Sequence, residues 1–123
     1  MKRSQLKTLI LEDEEFFATK VLAFALKYVG VSQIDIALNE DEAIKLIAKG
    51  HDLLILDTFH GRHAYGPRVL ERIRNIGNNP KLVIASSCNE NAEDLWKNAT
   101  KTDYFLKKPY PLKELTDKIM THF

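Results

Sequence analysis

Five residues of the sequence together suggest a site for phosphoryl chemistry. They are three carboxylates, one hydroxyl and one primary amine, each at the end of an apolar run: Glu12, Asp13, Asp57, Ser86 and Lys108. Three carboxylates brought together repel one another unless a cation is present, and oxygen ligands with room for water favour Mg2+. A hydroxyl and an ammonium group suit phosphoryl oxygens. A carboxylate nucleophile in such a site would form an acyl phosphate.

Each of these residues also has an ordinary structural interpretation. The acidic pair could be part of a solvated loop, and Asp57 could cap a turn or a helix. Ser86 could cap the following helix, where Ser87 competes for the same role, and Lys108 could be a surface lysine. The functional interpretation rests on their occurrence together, at the ends of four predicted strands.

Short apolar runs alternate with longer amphipathic segments along the chain. The runs predict strands at residues 8–11, 33–37, 53–56, 82–85 and 104–106. Helices are predicted at 16–28, at 39–48 with Asn39 as its cap, from Pro67, at 89–98 and from Pro111. This order predicts an α/β fold, a doubly wound five-stranded parallel sheet. Ligands of such sheets bind beyond the carboxyl ends of the strands, where the five residues fall.

Three of the predicted helices show apolar positions at helical spacing. In the first, Phe17, Val21, Phe24 and Tyr28 lie near one stripe; the third carries Val69, Leu70, Ile73 and Ile76; the last has Leu112, Leu115 and Ile119 facing inward.

Composition restricts the class of protein further. The 123 residues fit one domain, 1–123, and 45% hydrophobic with 28% charged residues is typical of a globular protein. A formal charge of +1 gives no support for bulk attraction to nucleic acid or to an anionic membrane. No signal peptide or transmembrane run is visible, so we expect a cytoplasmic protein. The single cysteine, Cys88, cannot form an internal disulfide and is expected to be a packed or rim thiol.

Across essentially its whole length, the chain resembles the receiver domains of two-component response regulators. The resemblance is carried by "LILEDEE" with Glu12 and Asp13, "LLILDT" with Asp57, "LVIASS" with Ser86, and "FLKKPYPLKEL" with Lys108. The spacing of these blocks matches the family to within a residue. The resemblance implies the (βα)5 flavodoxin-like receiver fold.

The resemblance also implies roles for individual residues. Asp57 would take a phosphoryl group from a histidine kinase or a histidine phosphotransfer protein. Glu12, Asp13 and Asp57 would hold Mg2+, together with the backbone carbonyl of Phe59. Ser86 and Lys108 would bind the phosphoryl group, and the Lys108–Pro109 peptide bond would be cis.

A conformational switch is implied as well. Phe105 aligns with the family's switch aromatic, with the neighbouring Tyr104 as a competitor. Ser86 would move towards the phosphoryl group, and Phe105 would fill the space it leaves. This would reshape the face formed by the fourth helix, the fifth strand and the fifth helix. The expected target is a protein in trans or an output domain beyond this sequence, and a homodimer is possible.

The loop after Asp57 departs from the family pattern. It reads "DTFHGRHAYGP", lacks the usual Met-Pro pair and is one residue longer before Gly66. Phe59 is bulky for its position, and we hypothesise that it shields the acyl phosphate from hydrolysis. His60 and His63 have an H-x-x-H spacing, but solvated loop histidines are the simpler interpretation.

Two other functions remain as alternatives. The first is a degenerate receiver that binds a partner without phosphorylation, which the altered loop favours and the retained site residues disfavour. The second is a flavodoxin-like or phosphatase-like enzyme with Asp57 as nucleophile. Thr58 and Phe59 offer no acid/base carboxylate for a phosphatase, and the acidic residues 12–15 would repel a flavin phosphate.

Overall fold

A computed structural model describes residues 2–99 and 102–123. Its strands are β1 (Lys7–Leu11), β2 (Gln33–Ala37), β3 (Leu53–Asp57), β4 (Leu82–Ser87) and β5 (Tyr104–Lys107). Its helices are α1 (Ala23–Tyr28), α2 (Glu40–Ile47), α3 (Tyr65–Asn75), α4 (Ala92–Ala99) and α5 (Leu112–His122). All strand pairs are parallel, in the order β2-β1-β3-β4-β5. The predicted doubly wound, flavodoxin-like fold is confirmed.

The two strands that end at the predicted site are completely covered. Every residue of β3 and β4 is buried, which is why these segments read as continuous apolar runs rather than alternating ones. Leu11 at the end of β1 pairs with Leu56, and Asp57 pairs with Ser86 of β4. The sheet register therefore aligns the carboxyl ends of the three central strands.

Helices cover the sheet on both faces, and each face has its own apolar core. The first core combines alternate strand residues with side chains of α1 and α5, such as Leu26 and Leu115. The second combines the other strand residues with side chains of α2, α3 and α4, including the fully buried Trp96. This alternation is the side-chain period of two expected of strands buried on both faces. Asn39 caps α2 as predicted, accepting a bond from the Glu42 amide.

The predicted apolar stripe of the first helix is wrong in its second half, because Phe17 and Val21 are half-buried but the other two positions are exposed. Phe24 is 67% exposed and Tyr28 is 83% exposed, whereas Ala18, Leu22 and Leu26 are buried. A π-helical segment over Phe17–Leu22 precedes α1 and changes the angular register of the residues that follow. Aliphatic side chains thereby pack on the sheet, while the rings of Phe24 and Tyr28 face solvent.

Two further predicted inward positions are exposed. Ile76 follows the last residue of α3 and is 53% exposed, and Leu112 is the first residue of α5 and is 37% exposed. Both stand at a helix end, outside the turns that contact the sheet. Leu115 and Ile119 are fully buried, as predicted. Among the described residues, no helix combines the length and apolar character needed to cross a membrane.

Candidate functional site

The three predicted carboxylates meet at the carboxyl edge of the sheet. Glu12 and Asp13 directly follow β1, and Asp57 is the last residue of β3. One oxygen from each lies within 4.8 Å of the others. Glu12 and Asp57 are buried, with 2% and 8% exposure, whereas Asp13 is exposed. The cluster is thus open to solvent on the Asp13 side.

Lys108 supplies the positive charge of the cluster. Its Nζ lies 2.5 Å from Oε1 of Glu12 and 3.2 Å from Oδ1 of Asp57. The Lys108–Pro109 peptide bond is cis. The same ammonium lies 5.3 Å from the ring centroid of Phe17, which covers it from the side of the π-helical segment.

Lys108 does not fully compensate the negative charge of the buried carboxylates. Burial raises the pKa of Glu12 to about 7; the hydrogen bond from Lys108 opposes the rise and the charge of Asp57 adds to it. Burial also raises the pKa of Asp57, against the lowering effect of Lys108. Burial alone would lower the pKa of Lys108, but its bonds to both carboxylates outweigh this and raise it. Lys108 therefore stays charged but compensates the acidic groups only in part.

Two serines at the end of β4 have different surroundings. Ser86 lies beside Asp57 in the sheet, is 4% exposed and is close to the hydroxyl of Tyr110. Burial raises the pKa of Tyr110 to about 12, so this hydroxyl is protonated at neutral pH. Ser87 lines the acidic cleft, and its Oγ accepts a bond from the amide of Asn89. The hydroxyl predicted to contact a phosphoryl group is thus buried beside Asp57.

The unusual loop after β3 forms a closed turn. His60 and His63 exchange two backbone hydrogen bonds of 2.9 and 3.1 Å, and the amide of Gly66 bonds the carbonyl of Thr58 at 3.2 Å. Phe59, Gly61 and Arg62 of this loop line the cleft beside Asp13 and Asp57. The side chains of His60 and His63 form no described cluster with other metal-ligating residues.

Tyr65, the first residue of α3, reaches back into the site. Its side chain is 1% exposed, and its hydroxyl donates a 3.0 Å hydrogen bond to Oδ2 of Asp57. Burial first, then the charges of Asp57 and Asp13, raise the pKa of this hydroxyl. It therefore remains protonated, and a hydrogen-bond donor, at neutral pH. Both carboxylate oxygens of Asp57 are consequently engaged, Oδ1 by Lys108 and Oδ2 by Tyr65.

A second buried chain of hydrogen bonds lies beneath Asp57. Trp96 of α4 donates from Nε1 to Oγ1 of Thr58 at 2.7 Å, and Thr58 donates to the carbonyl of Ser86 at 2.9 Å. Thr58 and Trp96 are both fully buried. This chain connects α4 to the ends of β3 and β4.

The two candidate switch aromatics are half-buried on opposite faces of β5. Phe105 packs against the core that contains Trp96, and Tyr104 packs against the core of α1 and α5. The ring of Tyr104 lies 4.4 Å from Nζ of Lys118, and its hydroxyl lies 3.2 Å from Nε2 of His122. Phe105 is therefore the aromatic on the α4 side.

Cys88, the single cysteine, is exposed at the rim of the cleft.

The sequence interpretation missed Tyr65, Trp96 and Tyr110 as members of the site. Tyr65 had one available signal, its position directly before the Gly66–Pro67 helix start. Nothing in the spacing shows that a tyrosine of the lengthened loop turns towards Asp57. Tyr110 and Trp96 sit in segments that read only as a strand-to-helix connection and a helix core.

The donor set fits Mg2+ rather than a softer metal. It consists of carboxylate oxygens alone, one of them on an exposed residue, with no thiolate or imidazole among the grouped ligands. Hard oxygen ligands with access to water are what Mg2+ requires. The incomplete compensation of Glu12 and Asp57 by Lys108 points the same way, because a bound cation would lower the pKa of both carboxyl groups.

Comparison with known proteins gives a consistent fold. No family model matches the chain. A two-component response regulator from Clostridium difficile is 28% identical, with 96% of this chain and 95% of that one covered and a TM-score of 0.79. The response regulator TrrA from Thermotoga maritima, solved with Mg2+–BeF, is 26% identical over 97% of this chain and 100% of that one, with a TM-score of 0.77. A receiver domain of a Francisella response regulator is 22% identical, covering 96% of each chain, with a TM-score of 0.77.

These structures match the chain over nearly its whole length, and they share with it one parallel five-stranded sheet flanked by helices. The chain therefore has the fold of the receiver domains of response regulators, to which its four strand-end motifs were predicted to be similar.

Proposed function

We propose that residues 1–123 form one phosphoacceptor domain in which Asp57 receives a phosphoryl group. The observation that carries this proposal is the meeting of Glu12, Asp13 and Asp57 with Lys108 at one edge of the sheet. A structural ion pair would need one carboxylate for Lys108. Three carboxylates around one ammonium, two of them buried, cost stability and are retained where they bind something.

Oδ1 of Asp57 is the proposed nucleophile. It lies 3.2 Å from the ammonium of Lys108, which can attract the oxygens of an incoming phosphoryl group. Oδ1 forms the bond to phosphorus while the bond from phosphorus to the imidazole nitrogen of the donor breaks, and that nitrogen keeps the electron pair. The product is an acyl phosphate on Asp57.

Glu12, Asp13 and Asp57 are the proposed Mg2+ ligands, with the backbone carbonyl of Phe59 as a fourth. The metal would supply charge neutralisation for the phosphoryl oxygens, which is the main requirement of phosphoryl transfer. The TrrA structure with Mg2+–BeF supports this assignment by similarity of fold. Lys108, which bonds Glu12 in the structure, would turn towards the phosphoryl group as the acidic ligands are neutralised.

Ser86 and Phe105 are the proposed switch. Ser86 pairs with Asp57 in the sheet register, so its hydroxyl could donate to an oxygen of the phosphoryl group. Phe105 packs on the side of Trp96 and α4, next to the face that would change. Phosphorylation would shift an equilibrium between two arrangements of α4, β5 and α5, by the difference in their interaction with the phosphoryl group.

The proposed partners follow from the chemistry. The donor is a phosphohistidine of a histidine kinase or phosphotransfer protein, and the recipient of the signal is a protein in trans or an output domain. The domain acts as a signalling acceptor in the cytoplasm, with no turnover of an external substrate. Phosphorylation-independent binding is the competing proposal, and the Tyr65 hydrogen bond, which occupies Oδ2 of Asp57, favours it.

Intact mass after incubation with acetyl phosphate separates the two proposals. Wild type with Mg2+ should gain one phosphoryl group, about 80 Da, and should gain none without Mg2+. Asp57→Asn should gain none under either condition. Asp94→Asn, which changes an exposed carboxylate of α4, should behave as wild type. No gain by folded wild type would leave the phosphorylation-independent binding module as the better interpretation.

A further inference from the structure

The hydroxyl of Tyr65 contacts the proposed phosphoacceptor, Asp57. Neither the strand-end motifs nor phosphoryl chemistry in general requires a tyrosine at this position. Its hydroxyl is buried, protonated and bonded to Oδ2 of Asp57. The other oxygen of that carboxylate is held by Lys108. A cation and an ammonium repel each other, so the oxygen available to a metal is the one that Lys108 does not contact. That oxygen is Oδ2, the acceptor of the Tyr65 bond.

The surroundings of the hydroxyl support this placement. After burial and Asp57, the charge of Asp13 is the next cause that raises the pKa of Tyr65, ahead of that of Glu12. The hydroxyl therefore lies among the negative charges of the acidic cluster and is bonded to one of them. Its hydrogen carries partial positive charge and compensates Oδ2 where a cation would otherwise do so.

The position of Tyr65 is fixed by the closed loop. The amide of Tyr65 bonds the carbonyl of His63 at 2.9 Å, and the next amide, of Gly66, bonds Thr58. The ring of His60 packs against the ring of Tyr65 with centroids 5.5 Å apart. Because the backbone on both sides is tied down and the ring is packed, little side-chain freedom is left for the bond to Asp57 to remove.

We propose that Tyr65 is a positioning residue that holds Asp57 in a metal-free resting state and competes with Mg2+ for Oδ2. A cation bound to this oxygen withdraws its electron density and repels the positive end of the O–H dipole. Metal binding therefore weakens or breaks the Tyr65 bond. The loss of that bond makes the free energy of Mg2+ binding less favourable and so lowers the affinity for Mg2+. The inference rests on the proposed function, because it takes the acidic cluster as a Mg2+ site.

Calorimetric titration of Mg2+ into wild type and Tyr65→Phe tests the competition. Burial raises the pKa of Glu12 to about 7. The titration should be made about one pH unit above this value, so that the carboxyl groups of the cluster are ionised. A hydrogen bond to a charged group is worth at least a factor of about ten, so Tyr65→Phe should bind Mg2+ about tenfold more tightly. Tyr104→Phe, which removes a tyrosine hydroxyl paired with His122, should bind as wild type.

A thermal measurement gives a second readout that needs no phosphoryl donor. Without metal, Tyr65→Phe should melt below wild type because it loses the bond to Asp57. Saturating Mg2+ should raise its Tm by more than it raises that of wild type. The aromatic ring is retained, so a cooperative melt shows that the variant is folded.

The outcomes separate the two proposals. If wild type binds Mg2+ and Tyr65→Phe binds with the same or lower affinity, the competition proposal is overturned while the phosphoacceptor proposal stands. If neither binds Mg2+, both are overturned. If only Tyr65→Phe binds, the competition is stronger than expected and is supported.

Discussion

The closest backbone approach in the site is at Gly66, and it predicts a large effect from adding a single methyl group. A Cβ on Gly66 would lie 2.0 Å from the carbonyl oxygen of Asp57 and 2.9 Å from Cζ2 of Trp96. Ordinary contact begins at 3.4 Å, so the first turn of α3 would have to move by the difference of 1.4 Å (3.4 minus 2.0). Neither neighbour can yield easily, because Asp57 belongs to a central strand and Trp96 is fully buried.

Two opposing contributions determine the sign of the Gly66→Ala effect. Alanine is the better helix former and would stabilise the first turn of α3 by about 1 kcal/mol. Overpacking costs about 1–3 kcal/mol, and a clash with backbone belongs at the upper end of that range or beyond. The clash therefore wins, and we expect Gly66→Ala to lose about 2 kcal/mol or more of unfolding free energy. The displaced turn also carries Tyr65, so the hydrogen bond from Tyr65 to Asp57 should weaken as well.

Urea unfolding followed by far-ultraviolet circular dichroism measures this loss. A reduction of about 2 kcal/mol lowers the midpoint by roughly 1–2 M at an ordinary slope. Gly50→Ala is the control: its Cβ would meet nothing within 4 Å, although its φ of 77° should still cost about 1 kcal/mol. A Gly66→Ala protein as stable as wild type, or more stable, would refute the argument from close packing.

Three further predictions concern single side chains. Thr58→Val removes the acceptor of the Trp96 indole and should cost about 1–3 kcal/mol in urea unfolding followed by tryptophan fluorescence; an unchanged midpoint would contradict the buried chain. Asp35 is hydrogen-bonded to the buried His51. Burial raises the pKa of Asp35, but this bond and neighbouring charge outweigh burial and lower the pKa below 3.8. The contribution of this interaction to folding stability is therefore present above pH 3.8 and is lost as the pH falls through the lowered pKa. Asp35→Asn should therefore be about 1 kcal/mol less stable than wild type at neutral pH, and the difference should shrink in strong acid; a difference independent of pH would argue against an ionic contribution. Phe59→Asn should lose its phosphoryl group faster than wild type in a mass-spectrometric time course, and an equal rate would sink the shielding hypothesis.

The sequence located the principal site residues because of a property of parallel sheets. Polar residues that end apolar runs are brought to one edge by the topology alone, whatever the details of side-chain packing. Glu12, Asp57 and Lys108 therefore could be grouped from their places in the order of runs, and the structure brings them within hydrogen-bonding distance. The roles assigned to these three residues, like those of Asp13, Phe59, Ser86 and Phe105, remain proposals.

Helix faces were less predictable from the same information. Phe24 and Tyr28 stand at apolar spacing but face solvent, because a π-helical segment changes the register by a fraction of a turn. A hydrophobic stripe that assumes a uniform helix cannot anticipate such a change. Leu112 shows a related difficulty, because a residue in the first turn of a helix can lie beyond the edge of the sheet that it would cover.

The order of apolar runs and polar residues along the sequence was enough to predict the fold class. It was also enough to predict an acidic edge of the sheet with Asp57 at its centre. Only the tertiary structure decided how the carboxylate of Asp57 is held, with Lys108 on Oδ1 and Tyr65 on Oδ2. The physical reason is the range of the interactions. A buried strand can be recognised from a short run of neighbouring apolar residues. The bond from Tyr65 instead depends on how the loop after β3 closes, and the residues that close it are not spaced in any regular pattern in the sequence.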